Sequence, residues 1–487
     1  MSVLTHPKPI EYDFVVVGGG SAGFGAARTA ASLGLSTLVI EGGEEVGGLC
    51  ILRGCMPSKS VIESANRMLT LRRASEFGLR AENVRAVGPE ILARKRRLVT
   101  EFADYRKGQL EAGAFDFLRG LARFEDAQTL SVTSRDGIPL GTVRAKTFLI
   151  ASGSRVSRVE IPGLADVGYL TSDQALELSE VPKSTIILGA GAIAMEAAHH
   201  FSALGSDVTV LNRGAHLLRQ MDLDVAAAVQ NSLAHRGLKF CLGTKLIGAQ
   251  RAPNGQKRLR YADAKGEHDI DADEILFALG REPAVAGLGL DRIQGLPQTP
   301  RGGLTVGLDQ NAGLPHLFAA GDVAGPHEIV HLAVQQGEIA ARNAARLLGM
   351  LSTPAEQMDY RLKVFCLFTH PQVGAVGLTE REAADQKIEV LVASYPFADH
   401  GKSMLMGETE GFVKLIAEKA TGRLLGGAVV GPEASELIHE IVVAMHFNGT
   451  ARDLCEVPHY HPTLSEIWTY PAEELALLHP AGVNHPR

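Results

Sequence analysis

The hydrophobic pattern of the chain repeats one plan twice. An apolar run, a glycine-rich turn, an alanine-rich stretch with helical spacing and a second apolar run make up YDFVVVGGGSAGFGAARTAASLGLSTLVIEGG, which begins at Tyr12. The same order recurs in STIILGAGAIAMEAAHHFSALGSDVTVLNRG, which begins at Ser184. Each segment has the pattern of a strand, a glycine turn, a helix and a second strand. The pattern therefore predicts two nucleotide-binding βαβ units in an α/β chain.

The pattern changes between and after these units. Residues 58–120 combine helical periodicity with many charges, which predicts exposed amphipathic helices, and we interpret the basic run at Arg94–Arg97 as a solvated helix face. Leu351–Pro354 has the composition of a linker. Beyond it, the runs VGAVGLTE, GFVKLIAE and LLGGAVVG alternate like antiparallel strands and precede two helices. A third, α+β domain is therefore predicted from about residue 350 to the end.

Length and charge narrow the class of protein. With 487 residues, the chain is long enough for about three domains of ordinary size. Its net charge of −7, from 48 basic and 55 acidic residues, leaves no excess of positive charge, so nucleic acid is not an expected partner. The first residues lack the pattern of a secretory signal, and no apolar run is long enough to cross a bilayer. We expect a cytoplasmic protein that does not enter a membrane.

Two of the five cysteines lie close together, in GGLCILRGCMPSK. Five are too few for a secreted disulfide framework, and a close pair in a reducing compartment is more often redox-active or metal-binding. The partners that zinc needs are missing nearby, so no metal site is predicted. A helix N-terminus or a cation such as Lys59 or Arg53 would favour a thiolate, which could attack a disulfide. On the residues alone, Cys50 and Cys55 could also be two buried thiols without a function.

The first glycine turn fits a dinucleotide site. Gly18, Gly20 and Gly23 match G-x-G-x-x-G, in which absent side chains let the backbone approach a pyrophosphate and let the helix pack on the strand. The N-terminus of the helix then offers N–H groups to the anion. Glu41 ends the second strand, where a carboxylate accepts hydrogen bonds from ribose hydroxyls. These features together favour dinucleotide binding over a merely tight turn.

The second glycine turn predicts a nicotinamide coenzyme site. It has the form G-x-G-x-x-A, which keeps the geometry with one methyl group added. The acid that would select NAD is absent from the end of its second strand, and guanidinium groups there suit a 2′-phosphate. NADPH is therefore favoured, with NADH as the alternative if the arginines are only solvated side chains. The residues concerned are Gly189, Gly191, Ala194, Asn212, Arg213 and Arg219.

A last group of polar residues lies near the end of the chain, in VPHYHPTLSE. A histidine followed by proline and, five residues later, by glutamate can form a base with an orienting carboxylate, which would protonate a leaving sulfide. His461 and Glu466 have this spacing. In isolation, a His-Pro pair is more often a loop feature, and His459 is interpreted as structural.

These motifs occur together in a known order. The chain resembles the class I pyridine nucleotide-disulfide oxidoreductases, flavoproteins that include glutathione reductase, dihydrolipoamide dehydrogenase and mercuric reductase. The shared signatures are GGGSAG, GGLCILRGCMPSK, ASGSR, GAGAIAMEAA, AAGDVAG, FTHPQVGAVGLTE and HPTLSE. The resemblance implies two Rossmann-like dinucleotide-binding domains, for FAD and for NAD(P), and a C-terminal α+β dimerisation domain. It places the FAD domain at 1–155 and 283–350, the NAD(P) domain at 156–282 and the interface domain at 351–487.

The resemblance also implies a role for each site residue. Cys50 would be the interchange thiol that attacks the substrate disulfide, and Cys55 the charge-transfer thiol beside the flavin. Lys59 would lie near the flavin and pair with Glu196. The acid/base pair near the C-terminus would reach the thiols of the other subunit of a homodimer. Further residues that the resemblance assigns to cofactor binding are Glu41, Gly48, Ser152, Gly153, Gly280, Asp322 and His331.

The chain departs from the family pattern around the thiols and at its end. Leu49 and Leu52 replace a usual threonine and asparagine, and Arg53 replaces an apolar residue and adds a positive field. Mercury is not an expected substrate, because the tail ELALLHPAGVNHPR has no cysteine pair. HPTLSE looks like the lipoamide type, and Arg28 occupies a place where glutathione reductases carry an arginine for the substrate carboxylate.

Electrons are expected to run from NADPH through FAD to the Cys50–Cys55 disulfide, and from there to a small or protein-bound disulfide. One rival is a dihydrolipoamide dehydrogenase that uses NAD. Another is a flavin-binding, redox-sensing dimer without turnover. The complete set of Cys50, Cys55, His461 and Glu466 argues against the second rival, because a scaffold does not need an acid/base pair.

Overall fold

The computed structural model describes residues 10–478. Our expectations about the first nine residues and about the end of the tail lie outside the described residues. The chain divides into two compact units, and each is described here by itself. The first unit comprises residues 1–58, 93–158 and 280–359, and the second comprises residues 59–92, 159–279 and 360–487.

The strands of the described residues are short and follow the glycine-rich segments. In chain order they are β1 (Ile10–Val17), β2 (Thr37–Glu41), β3 (Asp116–Arg119), β4 (Leu121–Asp126), β5 (Thr129–Thr133), β6 (Pro139–Ile150), β7 (Ser154–Val156), β8 (Ser184–Leu188), β9 (Asp207–Asn212), β10 (Lys239–Leu242), β11 (Lys245–Arg251), β12 (Lys257–Asp263), β13 (Gly266–Ala272), β14 (Glu274–Phe277), β15 (Arg281–Pro283), β16 (Asn311–Leu314), β17 (Leu317–Ala319), β18 (Val364–Leu367), β19 (Gln372–Gly377), β20 (Val390–Pro396), β21 (Phe412–Glu418) and β22 (Leu424–Gly431).

The α-helices alternate with the strands in the nucleotide-binding segments and close the C-terminal sheet. They are α1 (Ser21–Ser32), α2 (Gly48–Leu52), α3 (Cys55–Arg72), α4 (Gly88–Glu111), α5 (Leu164–Val167), α6 (Ser172–Ala175), α7 (Ala192–Ala203), α8 (Leu223–His235), α9 (Val330–Leu347), α10 (Glu380–Asp385), α11 (Gly401–Met406), α12 (Ala434–His446), α13 (Ala451–Glu456) and α14 (Thr469–Leu478). Single 3₁₀ turns lie at Ala74–Phe77, Leu290–Arg292, Tyr360–Leu362, Phe397–Asp399 and Ser465–Trp468.

The first unit is built on one large sheet. Its strands run in the order β16-β17-β6-β1-β2-β3, and β1 pairs in parallel with both β2 and β6. The valines of β1 are buried, as expected of a parallel strand that is covered on both faces. Helices α1 and α9 pack closely, because Gly337 has no side chain: a Cβ there would lie 2.1 Å from the Ala22 carbonyl oxygen. This packing holds the N-terminus of α1 at the carboxyl edge of β1, where the first nucleotide turn lies.

The second unit contains a parallel sheet, β10-β9-β8-β14, and a five-stranded antiparallel sheet, β18-β19-β22-β21-β20. Helix α7 connects β8 to β9 and completes the second predicted βαβ unit. Trp468 is fully buried beside the antiparallel sheet and donates a hydrogen bond to the Leu437 carbonyl oxygen at 3.1 Å. The predicted α+β segment is therefore confirmed, although three helices rather than two follow its last strand in the residues described, up to 478.

Two local predictions need correction. In the basic run Arg94–Arg97 the arginines are exposed, but Lys95 is only 2% exposed, so the run is not wholly a solvated face. Residues 58–120 are not all helical either, because they end in β3. The predicted linker lies in a segment without helix or strand, and this segment is pinned to α9 where Asn343 exchanges two hydrogen bonds of 2.9 Å with the backbone of Glu356.

Candidate active site

The first glycine turn is shaped by contacts that exclude any side chain. Gly18 has a φ of +110°, and a Cβ there would lie 2.4 Å from the Ala151 carbonyl oxygen. A Cβ on Gly23 would lie 1.9 Å from the Gly18 carbonyl oxygen. Gly20 is the N-cap of α1 and has extended backbone angles. The turn therefore brings bare backbone and a helix N-terminus to one place, which is the arrangement that binds a pyrophosphate.

Glu41 and Gly48 flank this turn. One Glu41 carboxylate oxygen accepts a hydrogen bond from the Gly19 N–H at 2.8 Å, and the other accepts one from the Gly43 N–H at 2.5 Å. Gly48 has a φ of +73°, and a Cβ there would lie 2.7 Å from the Cα of Gly20. The backbone that begins the thiol segment thus touches the backbone of the nucleotide turn.

The strand β6 leads to a further polar group in the first unit. The Ser152 hydroxyl oxygen is buried without a hydrogen-bond partner among the described residues. Asp322, just after β17, accepts a hydrogen bond from the Ser154 hydroxyl at 2.5 Å, and Arg281 donates to the same hydroxyl at 2.9 Å. A buried hydroxyl without a partner beside a side-chain-free turn fits a bound group such as the flavin dinucleotide.

The remaining expected flavin contacts in this unit are backbone turns and one surface histidine. Gly153 and Gly280 have φ values of +73° and +121°, and the Gly280 carbonyl oxygen accepts a hydrogen bond from the Ser157 N–H at 3.1 Å. His331 is the second residue of α9 and is exposed. The two glycines adopt backbone angles that other residues rarely adopt, and the histidine faces solvent.

Cys50 lies on α2, and Cys55 is the first residue of α3. Both are half-buried and are present as thiols. The first turn of an 18-residue helix favours negative charge, so the position of Cys55 suits a thiolate. Arg53 does not add the positive field expected from the sequence, because its guanidinium pairs with the Glu45 carboxylate at 2.7 Å.

Lys59 and Glu196 form an ion pair in the second unit. The ammonium group contacts both carboxylate oxygens at 2.9 Å, and only 9% of the Glu196 side chain is exposed. The Phe368 N–H donates to the same carboxylate at 3.2 Å, and the Lys59 ammonium lies 4.6 Å from the centre of the Phe368 ring. The Glu196 carboxylate is therefore held by the Lys59 ammonium and by the Phe368 N–H.

The second glycine turn repeats the geometry of the first. Gly189 has a φ of +105°, and a Cβ there would lie 2.4 Å from the Ala278 carbonyl oxygen. Gly191 is the N-cap of α7, and a Cβ there would meet nothing within 4 Å. Ala194 is fully buried at the helix–strand contact, so its methyl group fits the core. The N-terminus of α7 is open to an anion.

The end of β9 is polar but uncharged. The Asn212 amide donates hydrogen bonds to the carbonyl oxygens of Gly214 and His216, at 3.2 and 3.0 Å, and so holds the following turn. Arg213 and Arg219 are both exposed on this turn. Two guanidinium groups beside a strand end without a carboxylate create a local positive charge.

His461 and Glu466 are in contact. The His461 Nδ1 lies 2.9 Å from one Glu466 carboxylate oxygen, and the imidazole is 80% exposed while the carboxylate is 14% exposed. The other carboxylate oxygen lies 3.4 Å from Nε2 of His400, which is fully buried. Burial lowers the pKa of His400 and keeps it neutral. Glu466 therefore orients His461 through Nδ1, and Nε2 of this exposed imidazole forms no hydrogen bond within residues 10–478.

His459 is structural in this chain, as interpreted from the sequence. Its Nε2 lies 2.5 Å from a Glu440 carboxylate oxygen and its Nδ1 lies 2.9 Å from the Val457 carbonyl oxygen. Only 8% of its side chain is exposed. Both ring nitrogens of His459 therefore have a hydrogen-bond partner, and this buried histidine is less accessible than the exposed His461.

The sequence analysis missed two further side chains, His400 and Arg106. His400 carries no motif of its own. Arg106 lies on the buried face of α4, one turn before Leu110, and the guanidinium lies 4.0 Å from the centre of the Phe24 ring. An arginine on the apolar stripe of an amphipathic helix was the one available signal.

Comparison with known proteins agrees with this geometry. Residues 12–337 match the pyridine nucleotide-disulphide oxidoreductase family, and residues 365–472 match the dimerisation domain of the same family. The chain therefore belongs to the pyridine nucleotide-disulphide oxidoreductases. It is a flavoprotein enzyme with two nucleotide-binding domains, for FAD and NAD(P), and a C-terminal dimerisation domain.

Its relatives include enzymes of related activity. The chain is 33% identical over 470 residues to dihydrolipoyl dehydrogenase of Geobacillus stearothermophilus, covering 96% of this chain and 97% of that protein. It is 31% identical to leghemoglobin reductase of Glycine max, covering 94% and 86%. Its fold matches LpdA of Mycobacterium tuberculosis with a TM-score of 0.84 at 28% identity, and the HOCl-induced flavoprotein disulfide reductase RclA of Escherichia coli with 0.81 at 25%, each covering 95% of this chain and 99% of the other. No helix within residues 10–478 has the length and apolar character needed to cross a bilayer.

Proposed function

We propose that the protein uses NADPH to reduce a small or protein-bound disulfide through FAD and the Cys50–Cys55 pair. One observation carries the proposal: Gly48, which lies on the same short helix as Cys50, contacts the Gly20 turn that suits a dinucleotide. In the net reaction, NADPH supplies a hydride, solvent supplies a proton, and the substrate S–S bond becomes two thiols. Bound FAD would supply the hydride-to-thiol relay.

We assign the protein groups as follows. Cys50 acts as the interchange thiol that forms a mixed disulfide with the substrate, and Cys55 as the thiol beside the flavin. Lys59 and Glu196 form the polar pair at the flavin. The FAD domain would comprise residues 1–155 and 283–350, the NAD(P) domain 156–282 and the interface domain 351–487. Further residues proposed to hold the two dinucleotides are Gly18, Gly20, Gly23, Glu41, Gly48, Ser152, Gly153, Gly189, Gly191, Ala194, Asn212, Arg213, Arg219, Gly280, Asp322 and His331.

The active form is proposed to be a homodimer in which each site is shared. The exposure of His461, at 80%, supports this, because a base that Glu466 orients on the surface is accessible to a second chain. In the dimer, His461 of the partner subunit would protonate the thiolate that leaves the mixed disulfide. We also propose a cytoplasmic location, because in a reducing compartment a close cysteine pair is more often redox-active than structural.

The coenzyme preference for NADPH is supported by Asn212, Arg213 and Arg219. A 2′-phosphate carries about two negative charges and would gain from two exposed guanidinium groups, whereas the ribose hydroxyl of NADH finds no carboxylate there. We expect Arg213→Glu to raise the KM for NADPH by about tenfold and to change the KM for NADH little. Arg251→Glu, distant in sequence from the turn, is the control. Equal changes for both coenzymes would contradict the assignment.

A second candidate function is the NAD-dependent oxidation of dihydrolipoamide. The 33% identity to the dihydrolipoyl dehydrogenase of Geobacillus stearothermophilus favours it. The experiment that separates the two is a panel of lipoamide, glutathione disulfide and protein disulfides, assayed with NADPH and NADH, and of dihydrolipoamide assayed with NAD. Faster turnover of NADPH with a disulfide other than lipoamide supports the first function. Faster turnover of dihydrolipoamide with NAD supports the second, and no turnover in any arm supports a redox-sensing dimer.

A further inference from the structure

A second histidine lies behind the carboxylate that orients His461. His400 immediately precedes α11 and is fully buried beside the rings of Phe397 and Tyr470, whose centres lie 6.4 and 6.3 Å from the centre of its own ring. Because this imidazole has no access to water, both of its ring nitrogens have to find their partners within the protein. The groups that face these two nitrogens therefore define what His400 does.

The two ring nitrogens of His400 face a hydroxyl group and a carboxylate. Ser403, which is also fully buried on α11, places its hydroxyl oxygen 2.8 Å from Nδ1. On the other side, Nε2 is buried, has no hydrogen-bond partner among residues 10–478 and lies 3.4 Å from Oε1 of Glu466. A hydroxyl group can donate or accept, but a lone pair on Nε2 would be repelled by the carboxylate. The form with the proton on Nε2 is therefore favoured, and the Ser403 hydroxyl donates to Nδ1.

The Glu466 carboxylate thus has an imidazole nitrogen on each oxygen. His461 Nδ1 lies 2.9 Å from one oxygen, and the Nε2 of His400 lies 3.4 Å from the other. Burial lowers the pKa of His400, and His461 acts in the same direction whereas Glu466 opposes it, so His400 faces the carboxylate as a neutral donor at pH 7. The 3.4 Å contact is longer than a usual hydrogen bond of about 2.9 Å, but catalytic hydrogen bonds are often long without substrate and shorten in the complex.

We propose that His400 is a positioning residue for the acid/base pair: its Nε2–H holds one oxygen of Glu466, so that the other oxygen stays turned towards Nδ1 of His461. This inference rests on the proposed function, in which His461 of the partner subunit protonates the leaving thiolate. In that step a Cys55–Cys50 bond forms and the bond between Cys50 and the substrate sulfur breaks. The substrate sulfur keeps the electron pair and takes the proton of the imidazolium. A carboxylate that is free to turn would orient the imidazole less well for this transfer.

The test compares two disulfides whose leaving thiols differ in acidity. The FAD-loaded dimer is reduced anaerobically with one equivalent of dithionite and mixed in a stopped-flow instrument with hydroxyethyl disulfide, which is aliphatic, or with dithiobis(nitrobenzoate), which is aromatic. An aromatic thiolate is stable without a proton, so its departure depends little on an acid. We expect His400→Leu to slow the reaction of the aliphatic disulfide about tenfold and that of the aromatic disulfide less than about twofold. His400→Gln, which keeps an N–H donor, should restore most of the rate.

A cycle with His461→Gln shows whether His400 acts through His461. In the double variant, His400→Leu should cause no further slowing of the aliphatic disulfide. The matched control is His459→Gln, which removes another histidine–glutamate contact of the same region and should keep the parent ratio of the two rates. Retained flavin absorbance shows that the variants fold.

The inference is overturned if His400→Leu slows both disulfides equally, slows neither, or slows the aliphatic disulfide further in the His461→Gln background. Each of these results leaves the acid/base pair and the thiols in place. Failure of the proposed function would appear separately, as the parent rate with the aliphatic disulfide in His461→Gln alone or with both disulfides in Cys50→Ser, and the inference would fall with it.

Discussion

Gly48 brings the helix that carries Cys50 against the first glycine turn. Its φ of +73° lies in the left-handed region, and a Cβ would lie 2.7 Å from the Cα of Gly20, which is backbone and has no flexible end to move aside. The same residue thus combines a backbone conformation that favours glycine with close approach of two backbones. A side chain here would push the thiol segment away from the first nucleotide turn.

We expect Gly48→Ala to lower the FAD content of the purified protein several-fold and to lower its thermal midpoint, because it adds both a clash and a strained φ. The ratio of flavin absorbance to protein absorbance gives the occupancy. Gly108→Ala is the control: a Cβ at Gly108 would meet nothing within 4 Å, so this change on α4 should stabilise the protein by about 0.5 kcal/mol. Full FAD occupancy in Gly48→Ala would contradict the role of this contact.

The Glu466 carboxylate lies between two imidazoles, one buried and one exposed. Its contact at 2.9 Å is with the exposed His461, while the buried His400 lies 3.4 Å from its other oxygen. Burial lowers the pKa of His400, so this imidazole lies beside the carboxylate in its neutral form at pH 7. Ser403 fixes His400 in turn, through its hydroxyl at 2.8 Å from Nδ1.

Within the second unit, α7 is tied to α3 by polar contacts as well as by the Lys59–Glu196 pair. The His199 Nε2 lies 2.8 Å from the Asn66 amide oxygen. Burial lowers the pKa of His199 to about 3, and His370 and Arg236 act in the same direction. Burial also lowers the pKa of His200 to about 4. The contact between the two helices therefore depends on neutral imidazoles.

These shifts fix the sign of a pH effect. Between about pH 4 and pH 6.5 the unfolded chain binds protons that the native His199 and His200 do not, so the free energy of unfolding rises with pH across this window and levels off above it. Each such group contributes up to about 1.4 kcal/mol per pH unit.

We expect His199→Gln to reduce this pH dependence, because glutamine keeps a donor for Asn66 but does not titrate. The urea midpoint, followed by the fluorescence of the buried Trp468, should fall less between pH 6.5 and pH 5 than in the parent. His235→Gln on the exposed face of α8 should leave the slope unchanged. An equal slope in His199→Gln and the parent would show that His199 is not a buried neutral group in solution.

At the level of the assembly, we expect mixed dimers to regain activity if each site is shared between two subunits, as proposed. Cys50→Ser lacks the thiol, and His461→Gln lacks the base, so each homodimer should be inactive or strongly impaired. When the two proteins are unfolded together and refolded in equal amounts, about half of the dimers should be hybrids with one intact site.

The mixture should therefore recover about a quarter of the parent disulfide reductase activity. Refolding each variant alone is the control for recovery without hybrids. If thiol and imidazole of one chain served the same site, no hybrid would hold an intact site and the mixture would stay inactive. That result would contradict the shared site without affecting the assignment of the thiols.

The sequence predicted the parts of the molecule that depend on short-range constraints. Both glycine turns were recognised because positive φ and close backbone approach leave a local signature, as at Gly18 and Gly189. His461 and Glu466 lie in one short segment, so their contact could likewise be predicted from their spacing. These features need no knowledge of distant elements.

What the sequence could not show depends on which distant residues meet. The sequence indicated a free cation at Arg53, but its guanidinium pairs with the Glu45 carboxylate. Arg106 lies 82 residues from Phe24 in the chain, and its position over that ring follows from the way α4 meets α1, which no motif encodes. Lys95 belonged to a charged run but is buried, because helix phase rather than composition decides exposure.

The redox state of Cys50 and Cys55 tests the central claim most directly. The FAD-loaded protein is oxidised, then treated anaerobically with one equivalent of NADPH, and its thiols are alkylated and located by mass spectrometry before and after. We expect a Cys50–Cys55 disulfide before the addition and two alkylated thiols after it, with Cys241, Cys366 and Cys455 unchanged. If Cys50 and Cys55 stay in the same state while NADPH is consumed, the thiol pair is not the relay and the account is wrong.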